Sequence, residues 1–571
     1  MKRKGNRLLA GLLTLILVAG TAVACSKNEA KPSPSTVPSA APPTKTVEST
    51  KTPEPKKDPV ELSFYSFDSN GKAYPWERAI DKKITEATGV KLKIEYITGT
   101  NLEEKAGVMI AGNEYADIIE SRGMQSKLVQ AGAFIPLDDL IDKYGPHIKK
   151  AFGDSLNKLK NPSDGKIYFI PSPKTKPQDI VDANQSLLIQ YDVLDKLGYP
   201  KIETLDDVYK MLQDYMAKVK DLNGTPFIPW GLWTDTWGYN ITINNAALWV
   251  NGLTDDSDAL VDQKTFDVQY FNTTDKFKTY LKFLNQLYKS NMIDKNSFIT
   301  KNDQFKSLVA TGRVLAMIEG TWDVTDAEAA LRKAGMPERA YARFPIVLEK
   351  GIKDRSQVIG ESYAWGLGIS TNCKDPVSAI KFLDWLASDE GAVTLNWGVE
   401  GVHYDVVNGK RVMKKEVVDK LNTDPEYRFK EGLQAYSWNQ TSGAIKLDDG
   451  QYASPLNIED VYNNSDDWTK KVMDKYGVKA WGQMFDVTGD RPPYGYAWSI
   501  SIPADSPAQL AAKKADDLRH SLVPGIIMSA DDSEFDKHWD DFVKKIKGVN
   551  IQAWEQEMSA GIKKRLELWG K

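Results

Sequence analysis

The sequence predicts an α/β protein built from at least two lobes. Hydrophobic periodicity switches repeatedly between strand-like and helix-like repeats from residue 60 onward, and the same order starts again near residue 186. The body, about Val60 to Lys571, is also far longer than one hydrophobic core usually organises.

The elements follow in order. Val60 to Phe67 is β-rich with a two-residue repeat. Ala79, Ile80, Ile84 and Ala87 recur at helical spacing and are closed by Gly89, after which Val90 to Tyr96 alternates strictly. A helix is expected around Leu102 to Ala111, a short strand at Ala116 to Glu120, and a helix at Gln125 to Gln130. Phe134 to Asp138 then leads into Leu140 to Tyr144. This alternation argues for a mostly parallel sheet, and in such sheets ligands gather at the carboxyl ends of the strands. Phe67-Asp68 and Glu120-Ser121 are placed there.

Ser186 to Ile189 reads as the next strand, and Val193 to Leu197 as a short helix ended by Gly198. Thr204 is positioned to cap a helix over Leu205 to Val219, with Val208, Met211, Leu212 and Tyr215 on one face. Further helices are expected at Lys276 to Leu287, Asp303 to Thr311, Thr325 to Ala334 and Pro376 to Leu386, the last opened by Asp375-Pro376. Periodicity weakens from about Tyr404 to Tyr496, where loop signals dominate. Two helices, Glu534 to Ile546 and Gln552 to Leu566, are expected at the end.

Composition excludes several classes. The net charge is −4 with acids and bases interspersed, and no basic stripe points to nucleic acid. There are two Cys and four widely spaced His, so thiolate zinc and His-rich metal sites have no support. The phosphate-binding GxxxxGK[ST] and GxGxxG patterns are absent, as are GxSxG and HExxH. No cofactor is expected. Aromatic content is high, with 16 Trp and 24 Tyr. A wide sugar cleft uses such residues, because apolar sugar faces stack on aromatic faces.

The N-terminus carries a separate signal. Lys2, Arg3, Lys4 and Arg7 precede an apolar run from Leu8 to Val18, too short to span a bilayer and read as an export signal over 1–24. Thr21-Ala22-Val23-Ala24 before Cys25 resembles a bacterial lipobox, with Ala22 where Leu is more usual; Cys25 is the expected lipidation site. Residues 25–59 hold eight of the 28 prolines among Ser, Thr, Ala and Lys, and read as an extended tether.

Four stretches carry a family resemblance: Glu86-Ala87-Thr88-Gly89-Val90; Ala131 to Leu137 with Leu140-Ile141; Gly312 to Asp323; and Ile369 to Asn372 through Ala379 to Leu386 and Glu390-Gly391, into Gly398 to Tyr404. Each is weak alone. Together they resemble the family 1 extracellular solute-binding proteins of bacterial ABC importers, in the large LplA/YtcQ-like lipoprotein subgroup. The resemblance implies a two-lobed periplasmic-binding-protein-like (type II) fold with a hinge and an interlobe cleft. One lobe would comprise 60–173 plus about 346–396, the other about 174–345, with 397–571 decorating both. It also implies a monomer, lipid-anchored on the outer face of the cell membrane, that hands a carbohydrate to separate ABC permease subunits and performs no catalysis. Some large relatives carry a calcium loop after the helix matching Leu205 to Val219. Here the place reads Asp221-Leu222-Asn223-Gly224-Thr225-Pro226, too few oxygen ligands for calcium, and no metal is predicted.

Sugar recognition needs stacking faces with carboxylates and amides beside them. The densest candidate is Trp230 to Asn240, read as a loop, in which Trp233, Trp237 and Tyr239 belong either to the cleft or to a core cluster; Trp237 and Tyr239 are favoured. By similarity Trp322, with Asp323, faces ligand. Glu361 and Trp365 lie near the expected hinge return. Asp68, Asp117 and Glu120 complete the set, with a solvated rim as the alternative for the last two. Trp385 shares a helix with Phe382 and Leu386 and reads as core. Trp438, Trp468, Trp481 and Trp498 fall where periodicity does not place the backbone.

Two other functions compete. A cell-surface glycoside hydrolase needs a pair of carboxylates at defined spacing, and no segment singles one out. A binding protein for a non-sugar solute such as a peptide stays open.

Overall fold

Two separate sheets organise the chain. The computed structural model describes residues 58–571 apart from residue 69 and residues 98–101, 172–180, 359–362, 364 and 439–444. The expected export signal, Cys25, almost all of the tether, and Glu361 lie outside the described residues.

The first sheet contains β1 (Val60–Ser66), β2 (Val90–Tyr96), β3 (Ile118–Glu120) and β4 (Ile170–Pro171). The second contains β5 (Gln185–Gln190), β6 (Ile228–Gly231), β7 (Val314–Gly320) and β8 (Tyr341–Phe344). The chain then returns to the first sheet as β9 (Gly366–Ile369). The strand orders are β2-β1-β3-β9-β4 and β8-β5-β7-β6.

Both sheets are mixed, which corrects the expectation of mostly parallel pairing. β1 runs parallel to β2 and β3, and β6 parallel to β7. β9 is antiparallel to β3 and β4, and β5 is antiparallel to β7 and β8. Parallel neighbours are joined by crossover helices, whereas β9 re-enters the first sheet from the other one and is not bound by that rule.

Burial follows the pattern of each strand. In β1 Leu62 and Phe64 point into the core and alternate with less buried neighbours. β3 is covered on both faces, with Ile118 in one apolar cluster and Ile119 in another. Every residue of β7 is buried, so its run Val-Leu-Ala-Met-Ile shows no alternation. Each large side chain so buried contributes about 1.5–3 kcal/mol.

Helix signals were mostly local and hold. Gly89 closes the helix Ala79–Thr88 at φ 70°, a left-handed conformation that glycine takes without strain. Thr204 and Asp207 form a reciprocal capping box on Leu205–Lys218. The helix expected from Thr325 begins earlier, at Thr321, because Gly320 is both the last residue of β7 and the cap of the helix. Asp221-Leu222 and Thr225-Pro226 pair as a tight hairpin with Asn223 at φ 54° and Gly224 at φ 80°, the type I′ geometry. Asp221 spends one oxygen on the Gly224 amide, 2.7 Å away. Among the described residues no cluster of His, Cys, Asp and Glu could hold a metal ion.

The stretch from Tyr404 to Tyr496, expected as loop, is more ordered. It holds a hairpin, Tyr404–Val407 with Lys410–Met413, and the helices Lys415–Thr423, Tyr427–Glu431, Ile458–Asn464 and Asp467–Tyr476. Pro507–Ile527 is a further helix, with Pro524 near its end. Ala508, Ala511 and Ala515 form its buried stripe, too small to stand out as an apolar repeat. Tyr404, Leu433, Tyr436 and Trp438 pack into the core of the first sheet. Val472, Trp481, Tyr494, Ala515 and Trp554 pack into that of the second.

Candidate functional site

The first lobe presents a polar rim where β1 and β3 end. Parallel register sets Ser66 beside Glu120, and the Ser66 hydroxyl donates to the Glu120 carboxylate. Glu120 is only 3% exposed. Arg122 Nε donates to its Oε1 at 3.1 Å, and the Ser437 hydroxyl reaches both oxygens at 2.9 and 3.1 Å. Burial pushes the Glu120 carboxyl up, opposed chiefly by the Arg122 charge. The same guanidinium lies 3.4 Å from Asp68 Oδ2, so it bridges two carboxylates.

An aromatic ladder continues from that arginine. The antiparallel register pairs Leu367 with Glu120, which carries Trp365 to a position opposite Arg122. Trp365 adopts φ 61° and is 47% exposed. The guanidinium carbon sits 5.5 Å from its ring centre. Trp498 stacks on Trp365 at 5.3 Å and 29°, and Tyr496 on Trp498 at 5.1 Å and 23°. Burial, then the charges of Asp255 and Asp256, pushes the Tyr496 hydroxyl up, against the pull of Arg491. Burial, then the neighbouring Asp256, pushes the Asp255 carboxyl up to about 7.

The second lobe's rim is the junction of β7 with the helix Thr321–Lys333. Glu319 accepts from Trp233 Nε1 at 2.7 Å and from the Gly320 amide at 2.8 Å. Asp323, 1% exposed, receives Asn302 Nδ2 and Lys306 Nζ, each at 3.2 Å. Burial, and then the Asp323 charge, pushes Glu319 well above the usual carboxylate range. Burial also raises Asp323, against the pull of Lys306. Trp322 is 38% exposed, and half-buried Trp237 lies 6.5 Å from it. Lys306 Nζ also donates to Asn70 Oδ1 of the first lobe at 2.7 Å, so one ammonium joins the two rims. Arg428 pairs with Asp326 at 3.1 Å in a second link, between the segment packed on the first core and the helix after β7.

The structure therefore brings Asp68, Glu120 and Trp365 together on one side, and Trp237, Trp322 and Asp323 on the other. Three expected residues fall elsewhere. Trp233 is wholly buried, stacked on Phe305 at 5.9 Å with its indole committed to Glu319. Tyr239 is wholly buried under Arg519 and His520 of the helix Pro507–Ile527. The segment expected as a loop starts a helical run at Gly238, which turns the Tyr239 ring inward. Asp117 sits at the opposite end of β3, where its Oδ2 accepts from the Ser63 amide at 2.8 Å and the Ser63 hydroxyl at 2.5 Å. It fixes β1 against β3 and is roughly 10 Å along the strand from Glu120.

Arg122, Glu319, Lys306, Ser437, Tyr496, Trp498 and Asp255 were not singled out from sequence. Arg122 had a usable signal, since it follows a strand end and precedes Gly123, whose φ is 81°. The others reach the site through long-range packing, for which no local pattern exists.

Two α/β lobes, linked by repeated crossings of the chain, with an acidic and aromatic cleft between their strand ends, define a type II periplasmic-binding-protein-like architecture. The chain belongs to the bacterial extracellular solute-binding protein family, whose model matches residues 68–393. It is 26% identical over 344 residues to the fructooligosaccharide ABC transporter substrate-binding protein FusA of Streptococcus pneumoniae, covering 57% of this chain and 61% of that protein. It is 22% identical over 360 residues to the polygalacturonan/rhamnogalacturonan-binding protein YtcQ of Bacillus subtilis, covering 60% and 66%. The matches thus span about two thirds or less of these relatives' length. Both relatives are binding proteins rather than enzymes. Among solved structures, a solute-binding protein of Bifidobacterium longum infantis associated with an HMO-binding ABC transporter superposes with a TM-score of 0.63 at 16% identity, over 89% of this chain and 99% of that one. FusA in complex with kestose gives 0.59 at 18% identity, over 88% and 99%. No helix among the described residues is long and apolar enough to cross a membrane.

Proposed function

We propose that this protein is the substrate-binding lipoprotein of an ABC importer, capturing an oligosaccharide between its lobes and delivering it to membrane permease subunits. The observation that carries the reading is the ladder Arg122–Trp365–Trp498–Tyr496 beside Asp68 and Glu120. Its exposed member, Trp365, offers an aromatic surface for a sugar ring, edged by carboxylates that accept hydroxyl hydrogen bonds. Trp322, Trp237 and Asp323 close over the ligand from the second lobe, through the hinge motion of two-lobed receptors. Lobe 1 comprises 60–173 and about 346–396, lobe 2 about 174–345, and 397–571 adds to both.

The protein acts as a monomer without catalysis. Arg122 bridges Asp68 and Glu120, and Lys306 holds Asp323, which supports a binding role for these carboxylates. Residues 1–24 direct export, Cys25 carries the lipid, and 25–59 tether the body to the outer face of the cell membrane.

Titration of the protein with neutral oligosaccharides, followed by Trp fluorescence and chromatography of the sugar, tests the binding reading. A saturable signal with the sugar recovered intact supports it. Product release, or a response to peptides alone, overturns it. Mass spectrometry of the N-terminal peptide, with a C25A control that should escape into the medium, tests the anchor.

A further inference from the structure

Three cations at the cleft each hold a protein carboxylate. Arg122 gives Nε to Glu120 and one terminal nitrogen to Asp68, and lays its face on Trp365. Lys306 is held by Asp323 and Asn70. Lys301, next to Asn302, pairs with Asp235 at 2.8 Å beside Trp237. Asp68, Glu120, Asp235 and Asp323 thus hold Arg122, Lys301 and Lys306 in ion pairs.

A sugar carboxylate needs the opposite arrangement. Uronates are gripped by an arginine fork or an ammonium whose donors are free to turn to the ligand. Here a uronate would displace a protein carboxylate from its cation and leave that group buried and unpaired, which is costly. Hydroxyl groups meet no such barrier. They donate to carboxylates and leave the ion pairs intact.

We infer that the cleft selects uncharged oligosaccharides and rejects those built from uronic acids, with Asp68, Asp235 and Asp323 enforcing the choice by occupying Arg122, Lys301 and Lys306. The inference rests on the oligosaccharide reading above and divides this chain from uronate-binding members of its fold.

The test titrates the full chain with kestose, xylotetraose and mannotetraose, and with tetragalacturonate and an alginate tetrasaccharide. The expected result is saturable binding of at least one neutral sugar, with both uronates at least a hundredfold weaker. D68N, and D235N at its more exposed site, should each raise tetragalacturonate affinity at least fivefold, with melting temperatures measured alongside. A uronate that binds as tightly as the best neutral sugar overturns the inference and leaves the receptor reading standing. Silence toward both sugar sets overturns the receptor reading, and this inference with it. An unchanged preference in both variants, each with a wild-type melting temperature, also overturns it.

Discussion

Trp365 stands opposite Arg122 across the first sheet because the antiparallel register that pairs Leu367 with Glu120 continues one step beyond both strands. The indole is half exposed and has two fixed neighbours, Arg122 and Trp498. W365A should weaken oligosaccharide binding at least tenfold while costing about 1–2 kcal/mol of unfolding free energy, the worth of one aromatic stack and one cation–π contact. Fluorescence titration and urea unfolding of the same variant separate the two effects.

Trp233 should behave in the reverse sense. It is wholly buried and holds the Glu319 carboxyl. W233A should lose about 3–5 kcal/mol of stability through the cavity alone. W233F, which keeps most of the volume, should still lose about 1–3 kcal/mol by leaving a buried carboxyl short of a donor. Urea midpoints with an unchanged slope would check both; a W233A chain of wild-type stability contradicts the core placement.

Asp255 predicts a pH dependence. Its folded carboxyl titrates at about 7, against 3.8 without the surrounding fold. Between those values the folded state keeps a proton that the unfolded chain has lost. The stabilisation from that proton is complete below about pH 4 and disappears as pH rises through 7. Asp516, drawn down to about 2 with hydrogen bonding from His520 as the largest lowering cause against the cost of burial, loses its contribution only below pH 4 and does not overlap this window. The stability of D255N relative to the native chain should therefore rise between pH 5 and pH 7.5. A flat difference across that range would refute the assignment.

Lys306 joins the rims of the two lobes. K306A should weaken ligand binding at least tenfold, in the range of one lost charged hydrogen bond. It should also enlarge the radius of gyration of the unliganded protein. Small-angle scattering with and without sugar would show this.

Gly224 lies in the left-handed region at the tip of the hairpin that follows the helix Leu205–Lys218. G224A should cost about 1 kcal/mol, and chelators should leave the melting temperature of native chain and variant alike unchanged.

What could be read in advance was local. The alternation of Val90 to Tyr96, the Thr204 cap and the stop at Gly89 involve neighbours within a few residues, and each element formed where expected. The meeting of Trp365 with Arg122 joins positions 243 apart in the chain, and only strand register brings them together. Tyr239 illustrates the converse problem. Its segment looked like an aromatic loop, yet a helical run starting there and a distant C-terminal helix turned it into core. The helix Pro507–Ile527 had a legible start in Ser506-Pro507, but its buried stripe of alanines carries too little apolar bulk to announce a period.

Ser437, Tyr496 and Trp498 all lie beyond residue 393, where the family model ends, yet they clamp Glu120 and extend the ladder from Trp365. The segment beyond the family match therefore does two jobs at once: it reaches the rim of the proposed site, and through Trp438 on one side and Trp481 and Trp554 on the other it is built into the cores of both lobes. A change in that segment is felt by the scaffold as well as by the rim.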